Sequence, residues 1–187
     1  MKILFINACI RKDSRTLVLA RYLLSKLEGD IIELNLPSIN LQPLNEETLN
    51  RRSKLIREGN YDMFKEAKLF RDADCIVIAT PYYDLSFSAL LKNFIENINV
   101  DSLTFKFESD GSYKGLCKAK DCYYVTTSGG EFLNEHGFNY IRDLCHLFYG
   151  IPNVHLIKAE NLDIGGTSIS NEIEKAKKEI DKLFQIK

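Results

Sequence analysis

Asp74-Cys75-Ile76-Val77-Ile78-Ala79-Thr80-Pro81-Tyr82-Tyr83-Asp84, running on through Leu85 to Asn97, is the stretch from which the rest of the chain can be read. Cys75 to Ala79 is an unbroken apolar run. It is too short to span a bilayer and has the length of a parallel strand covered on both faces. Pro81 has no N–H to give a sheet ladder and ends the strand. Tyr82 and Tyr83 follow just past the strand's carboxyl end, where open α/β sheets bind ligands. From Ser88 onward, Leu90, Leu91, Phe94, Ile95 and Ile98 recur at helical spacing. A strand, an aromatic turn and a helix in succession predict one wall of a ligand crevice.

Upstream, Lys2 to Asn7 reads as a first strand, and Ala8 to Arg15 as a polar, glycine-free loop. Thr16 to Leu27 reads as a helix with Leu17, Ala20, Leu23, Leu24 and Leu27 on one stripe, and Asp13, Ser14 and Thr16 are candidate N-caps. Glu28-Gly29-Asp30 breaks it, and Ile31 to Leu36 is a second strand, completing a βαβ unit. Pro37 to Leu49 reads as a polar connection. Asn50–Arg57 and Tyr61–Arg71 read as one charged helix broken at Gly59-Asn60.

Downstream, Asn97 to Asp121 departs from the alternation. Thr104 to Phe107 alternates like a short exposed strand and Asp110-Gly111 signals a turn, so the segment is an excursion loop of the length that usually carries function. Cys122–Thr127 is a strand ending in Ser128-Gly129-Gly130, Phe138–Phe148 a helix closed by Gly150-Ile151-Pro152, Val154–Ala159 a strand, and Ser170–Phe184 a final amphipathic helix. The order predicts an α/β fold: a doubly wound, five-stranded parallel sheet with helices on both faces, residues 1–187 forming a single domain.

The totals fit that size. The chain has 187 residues, with 25 Lys+Arg against 26 Asp+Glu. The balance and the lack of a basic run argue against a nucleic-acid partner. No stretch is apolar enough for a membrane span or a signal peptide. Five cysteines, odd in number and without C-x-x-C or metal spacing, read as reduced thiols of a cytoplasmic protein.

Three loops follow strand carboxyl ends, and in such a sheet they share one edge. At Ser14-Arg15-Thr16 a helix begins, offering unpaired N–H groups and hydroxyls to an anion, with charge from Arg11 or Arg15. Ordinary helix capping explains the same residues equally well. Neither G-x-G-x-x-G nor G-x-x-x-x-G-K-[ST] occurs, which disfavours dinucleotide domains and nucleotide triphosphatases. Pro81 to Leu85 offers aromatic faces to a flat ligand, and Ser128-Gly129-Gly130 permits close backbone approach. Of the histidines, only His136 lies next to one of these loops.

Ala79-Thr80-Pro81-Tyr82-Tyr83, Leu90-Leu91-Lys92-Asn93-Phe94-Ile95-Glu96, Thr104-Phe105, Gly115-Leu116 and Thr126-Thr127-Ser128-Gly129-Gly130 occur in that order. Together they resemble the flavodoxin-like NAD(P)H-dependent FMN oxidoreductases of the azoreductase and NAD(P)H:quinone reductase branch, over nearly the whole chain. The resemblance implies non-covalent FMN, with its phosphate at Ser14, Arg15 and Thr16. The isoalloxazine would lie along Tyr82, Tyr83, Asp84 and Leu85 and against Thr127, Ser128, Gly129 and Gly130. It implies hydride transfer from NAD(P)H as co-substrate, through FMN, to a small quinone, azo or flavin acceptor in a ping-pong cycle. It also implies a homodimer with flavin sites at the interface, which residues 97–121 would adjoin.

The chain departs from that branch at Asp84, where Asn is frequent, and at Ala8 and Cys9, where a serine is frequent. A carboxylate beside the ring would disfavour an anionic reduced flavin. Two other classes compete with this reading. One is a flavodoxin-like electron carrier serving a protein partner, against which stand the long excursion and the near-neutral charge. The other is a flavin-free binding module.

Overall fold

The computed structural model describes residues 1–185. Residues 186 and 187, which the single-domain expectation includes, lie outside the described residues. The apolar run near the N-terminus forms β1 (Lys2–Asn7), followed by α1 (Arg15–Leu24) and β2 (Asp30–Asn35). Then come α2 (Glu46–Arg57), α3 (Lys65–Asp72), β3 (Cys75–Ala79) and α4 (Ala89–Ile98). A hairpin of β4 (Phe105–Phe107) and β5 (Tyr113–Gly115) precedes β6 (Asp121–Thr127), α5 (His136–Leu144), β7 (Asn153–Ala159) and α6 (Ile169–Gln185).

The main sheet has five parallel strands in the order β2-β1-β3-β6-β7, which bears out the doubly wound expectation. All five residues of β3 are buried. Their alternation sends Ile76 and Ile78 into one core with Ala67 and Phe70 of α3, Leu91, Phe94 and Ile95 of α4, and Ile141 of α5. Cys75, Val77 and Ala79 enter the opposite core with Leu19, Ala20 and Leu23 of α1 and Ile173, Ala176 and Ile180 of α6. Successive strand side chains point to opposite faces, so an unbroken apolar strand requires both coats. β2 is an edge strand, and its Ile31 and Ile32 remain exposed.

Several boundaries differ from the sequence reading, each for a local reason. Helix α1 starts at Arg15 because Ser14 is the N-cap, its Oγ accepting from the Leu17 N–H at 3.3 Å. It ends at Leu24, so Leu27 lies beyond it, and Leu19 rather than Leu17 is fully buried. Helix α2 reaches back into the expected connection because Asn45 and Thr48 form a reciprocal capping box, with Glu46 and Glu47 in the first turn. The charged segment is two helices rather than one broken helix, joined through a single 3₁₀ turn at Tyr61–Met63. The last helical segment before β7 begins at His136 and widens into a π turn at Cys145–Tyr149, ended by Gly150 at φ 73°.

The excursion folds as an antiparallel hairpin, with Phe105 opposite Gly115 and Phe107 opposite Tyr113. Burial falls along one face of the strand, from Phe105 at 6% exposed to Phe107 at 57%. Gly115 is needed because a Cβ there would collide with the Tyr149–Gly150 backbone. The hairpin therefore lies directly on the π turn.

Two features of the connections set up tests. Arg52 of α2 donates Nη1 to the carbonyls of Glu96 (3.0 Å) and Asn97 (3.1 Å), and Nη2 to that of Asn99. It thereby satisfies the orphan carbonyls at the end of α4 with a charge the helix dipole favours. Asp84 and Leu85 form a two-residue turn closed by Tyr83 N–H to Ser86 O (3.0 Å) and Ser86 N–H to Tyr83 O (2.8 Å). Both have positive φ, 48° and 67°. Asp tolerates this region, but Leu is strained there.

Arg52→Ala is expected to destabilise the protein by about 2 kcal/mol, since it strands several half-buried carbonyls at once. Thermal unfolding checks this: a melting temperature within a degree of the parent would show that the contacts contribute nothing. Leu85→Gly in the ligand-free protein is expected to stabilise by roughly 1 kcal/mol, the strain relief exceeding the added chain entropy. A loss of stability in urea unfolding would contradict the strained-turn assignment.

Candidate active site

The loops after β1, β3 and β6 meet at the carboxyl edge of the sheet, and a fourth, after β7, joins them. Together they enclose a cleft of about 310 Å³ lined by residues 11, 13–16, 81–83, 127–129, 162 and 163. Its position follows from the parallel topology, because every strand delivers its following loop to the same edge.

At one end stands the first turn of α1. Ser14, Thr16, Thr127 and Ser128 are buried polar residues around it. Thr16 Oγ1 and Thr127 Oγ1 lie 2.6 Å apart, so one hydroxyl donates to the other and the first and third loops are tied. One of the two hydroxyl protons is used in this contact and the other remains available to a ligand, beside the Thr16 backbone N–H. The N–H groups of Arg15 and Thr16 are first-turn donors that no acceptor among the described residues takes up. The loop is fixed behind them: Asn7 Oδ1 accepts from the Cys9 N–H at 3.0 Å, and Asn7 Nδ2 donates to Glu33 Oε1 at 2.9 Å. Burial pushes the Cys9 thiol pKa up despite a hydrogen bond with Ser14, leaving it protonated under the loop.

Arg15 is turned toward the fourth loop. Its Nη1 donates to Asp163 Oδ1 at 2.6 Å and to Leu162 O at 3.1 Å. The backbone N–H groups of Asn161, Leu162 and Asp163 bond the carbonyls of Gly130, Ser128 and Gly129, extending the β6–β7 pairing past the strand ends. A Cβ on Gly129 would collide with the Asp163 carboxylate. The glycine thus makes room for Asp163 as well as lining the cleft.

At the other end stand Pro81, Tyr82 and Tyr83. The Tyr82 ring packs on Phe132 at 4.4 Å between centroids. Its hydroxyl is buried without a hydrogen-bond partner among the described residues, so Tyr82 presents ring rather than hydroxyl to the cleft. Burial, and then the proximity of Tyr82, raise the pKa of Tyr124 behind it. The Tyr82 N–H is taken by Thr127 O and the Tyr83 N–H by Ser86 O.

The structure therefore brings together Arg11, Ser14, Arg15, Thr16, Pro81, Tyr82, Tyr83, Thr127, Ser128 and Gly129. Asp84, Leu85 and Gly130 continue the same loops but do not line the cleft. The Asp84 side chain is exposed on its turn, so its carboxylate is solvated. His136 is exposed at the start of α5, its N–H bonded to Asn134 Oδ1, and it also stands outside the cleft. Leu162 and Asp163 went unrecognised in the sequence, as did a lining role for Asp13. The usable signal was topological, since a fifth parallel strand must send its loop to the same edge.

Comparison with known proteins places the chain. A family model described as flavodoxin-like fold matches residues 1–184. An "FMN-dependent NADH:quinone oxidoreductase" of Clostridium perfringens is 32% identical, the alignment covering 92% of each chain. An "FMN-dependent NADH:quinone oxidoreductase 2" of Clostridium acetobutylicum is 33% identical over 95% of this chain and 97% of that one. The crystal structure of an azoreductase from Bacillus anthracis superposes with a TM-score of 0.83 at 21% identity, over 98% of each chain. The chain belongs to the flavodoxin-like fold family, together with these clostridial relatives.

Proposed function

We propose that the chain is an FMN-dependent NAD(P)H oxidoreductase that reduces quinone or azo acceptors, donor and acceptor using one cleft in turn. The observation that carries this is the cleft itself: an end made of anion donors and an end made of aromatic faces, in one crevice, in a chain whose relatives are named for this activity. The donor set fits FMN. Free N–H groups of Arg15 and Thr16, the Ser14 hydroxyl and the Arg11 guanidinium would hold the phosphate at a helix N-terminus. Pro81, Tyr82 and Tyr83 on one side and Thr127, Ser128 and Gly129 on the other would hold the ring.

When bound, FMN supplies the hydride-accepting and hydride-donating chemistry, as cofactors in general carry the difficult step. The chain's part is position and electrostatics. The N–H groups of Asp84, Leu85, Gly129 and Gly130 have no acceptor among the described residues. Of these, Gly129 lines the cleft and would face negative charge on the ring, whereas Tyr82 and Tyr83 have their N–H groups committed. Pro81, Tyr82 and Tyr83 would orient a flat ligand against the Thr127–Gly129 wall, and fixed orientation of this kind is what lowers the entropic cost of a transfer.

The reading extends to a single catalytic domain acting as a homodimer in the cytoplasm. Cys9, Cys117, Cys122 and Cys145 are free thiols, in keeping with a reducing compartment, and no helix among the described residues is long and apolar enough to cross a membrane. Phe107, Tyr113 and Leu147 are exposed side chains around the hairpin and the π turn, and Tyr113 stacks on Phe148 at 4.5 Å. An exposed apolar surface of this kind supports pairing with a second copy.

Purified protein is expected to take up FMN stoichiometrically and then to oxidise NADH or NADPH steadily with a quinone present. FMN uptake without nicotinamide oxidation would favour the electron carrier, and no uptake would remove the flavoprotein reading altogether. Phe107→Asp is expected to convert a dimer into monomers in sedimentation velocity. A parent that already sediments as a monomer would remove the dimer.

A further inference from the structure

The phosphate end of the cleft carries two arginines and two aspartates, Arg11, Asp13, Arg15 and Asp163. Asp163 is held there by its backbone, its N–H bonding Gly129 O at 2.8 Å while that of Leu162 bonds Ser128 O at 3.2 Å. Its carboxylate passes over Gly129, whose missing side chain makes the room, and reaches Arg15 Nη1 at 2.6 Å. The same nitrogen donates to Leu162 O. The N–H groups on Nε and Nη2 of Arg15 have no acceptor among the described residues. The guanidinium thus stays at the cleft with its charge already matched.

We propose that Asp163 is a specificity-determining residue for phosphate: by pairing with Arg15 it limits the positive charge of this end, so a singly phosphorylated ligand is held mainly by N–H and hydroxyl donors and remains exchangeable. The proposal rests on the reading that FMN phosphate sits here. Without the carboxylate, the Arg15 fork would be free to grip a phosphate through two parallel hydrogen bonds. With it, an incoming dianion meets a paired cation and a nearby negative charge. The effect is moderate, because the Arg15 and Asp163 side chains are 39% and 67% exposed and water and salt screen the pair. It acts on the ligand's charge and leaves the uncharged ring untouched.

The test compares parent, Asp163→Asn and Asp163→Glu, with FMN and riboflavin affinities measured by flavin fluorescence at several salt concentrations. Asp163→Asn is expected to bind FMN roughly threefold more tightly, the scale of one solvent-screened charge interaction. Its salt dependence should be steeper and its riboflavin affinity unchanged. Asp163→Glu, which keeps the charge, should behave as the parent. An FMN affinity for Asp163→Asn that is unchanged or weaker overturns the proposal, a weakening meaning that Asp163 serves only to aim Arg15. Inorganic phosphate supplies a readout without flavin: it should raise the melting temperature of Asp163→Asn more than that of the parent. If the parent binds no flavin, the cofactor reading fails and the phosphate shifts alone decide Asp163, equal or smaller shifts in Asp163→Asn overturning its role.

Discussion

Burial of β3 on both faces is the constraint from which the rest follows. A strand with five buried apolar residues has no side-chain surface left for chemistry. It needs a helix layer on each side, which only a chain of crossover connections can provide while keeping the strands parallel. Parallel strands in turn send all their following loops to one edge. The polar work of the molecule is therefore confined to strand ends, and the cleft is the place where four of those ends meet.

That constraint explains what could be read from the sequence. Cys75–Ala79, Pro81 and the leucine pattern of α4 are local signals, and they led directly to the sheet, its helices and three of the four loops. The misplaced boundaries have local causes as well. The start of α2 depends on the Asn45–Thr48 capping box, where Thr stands in for the usual Glu or Gln, so the signature was easy to miss. The cleft residues that went unrecognised are of another kind. Asp163 has no motif around it, and its importance arises only because Arg15 lies 148 positions earlier in the chain and 2.6 Å away in space. Thr16 is a related case: its hydroxyl meets that of Thr127, a partner that only the folded chain brings near.

The site's economy is one of backbone rather than side-chain donors. Arg15 Nη1 is held by Asp163, Thr16 and Thr127 share a hydroxyl contact, Tyr82 turns its hydroxyl inward, and the exposed Asp84 carboxylate is solvated. What remains directed at a ligand is mostly N–H groups and ring faces. Such donors do not titrate, and the balance of Arg11, Asp13, Arg15 and Asp163 sets the electrostatic background.

β2 carries a different kind of consequence. It ends the sheet, with Ile31 and Ile32 exposed and one side of its backbone unpaired. An open apolar edge invites a foreign strand to add itself, the first step toward aggregates. Asp30 and Glu33 lie along the same strand, and Glu33 is held in place by Arg21 and Asn7. Removing the Asp30 carboxylate, which is no part of the cleft, would leave the chain folded but less able to remain dispersed when crowded among its own copies.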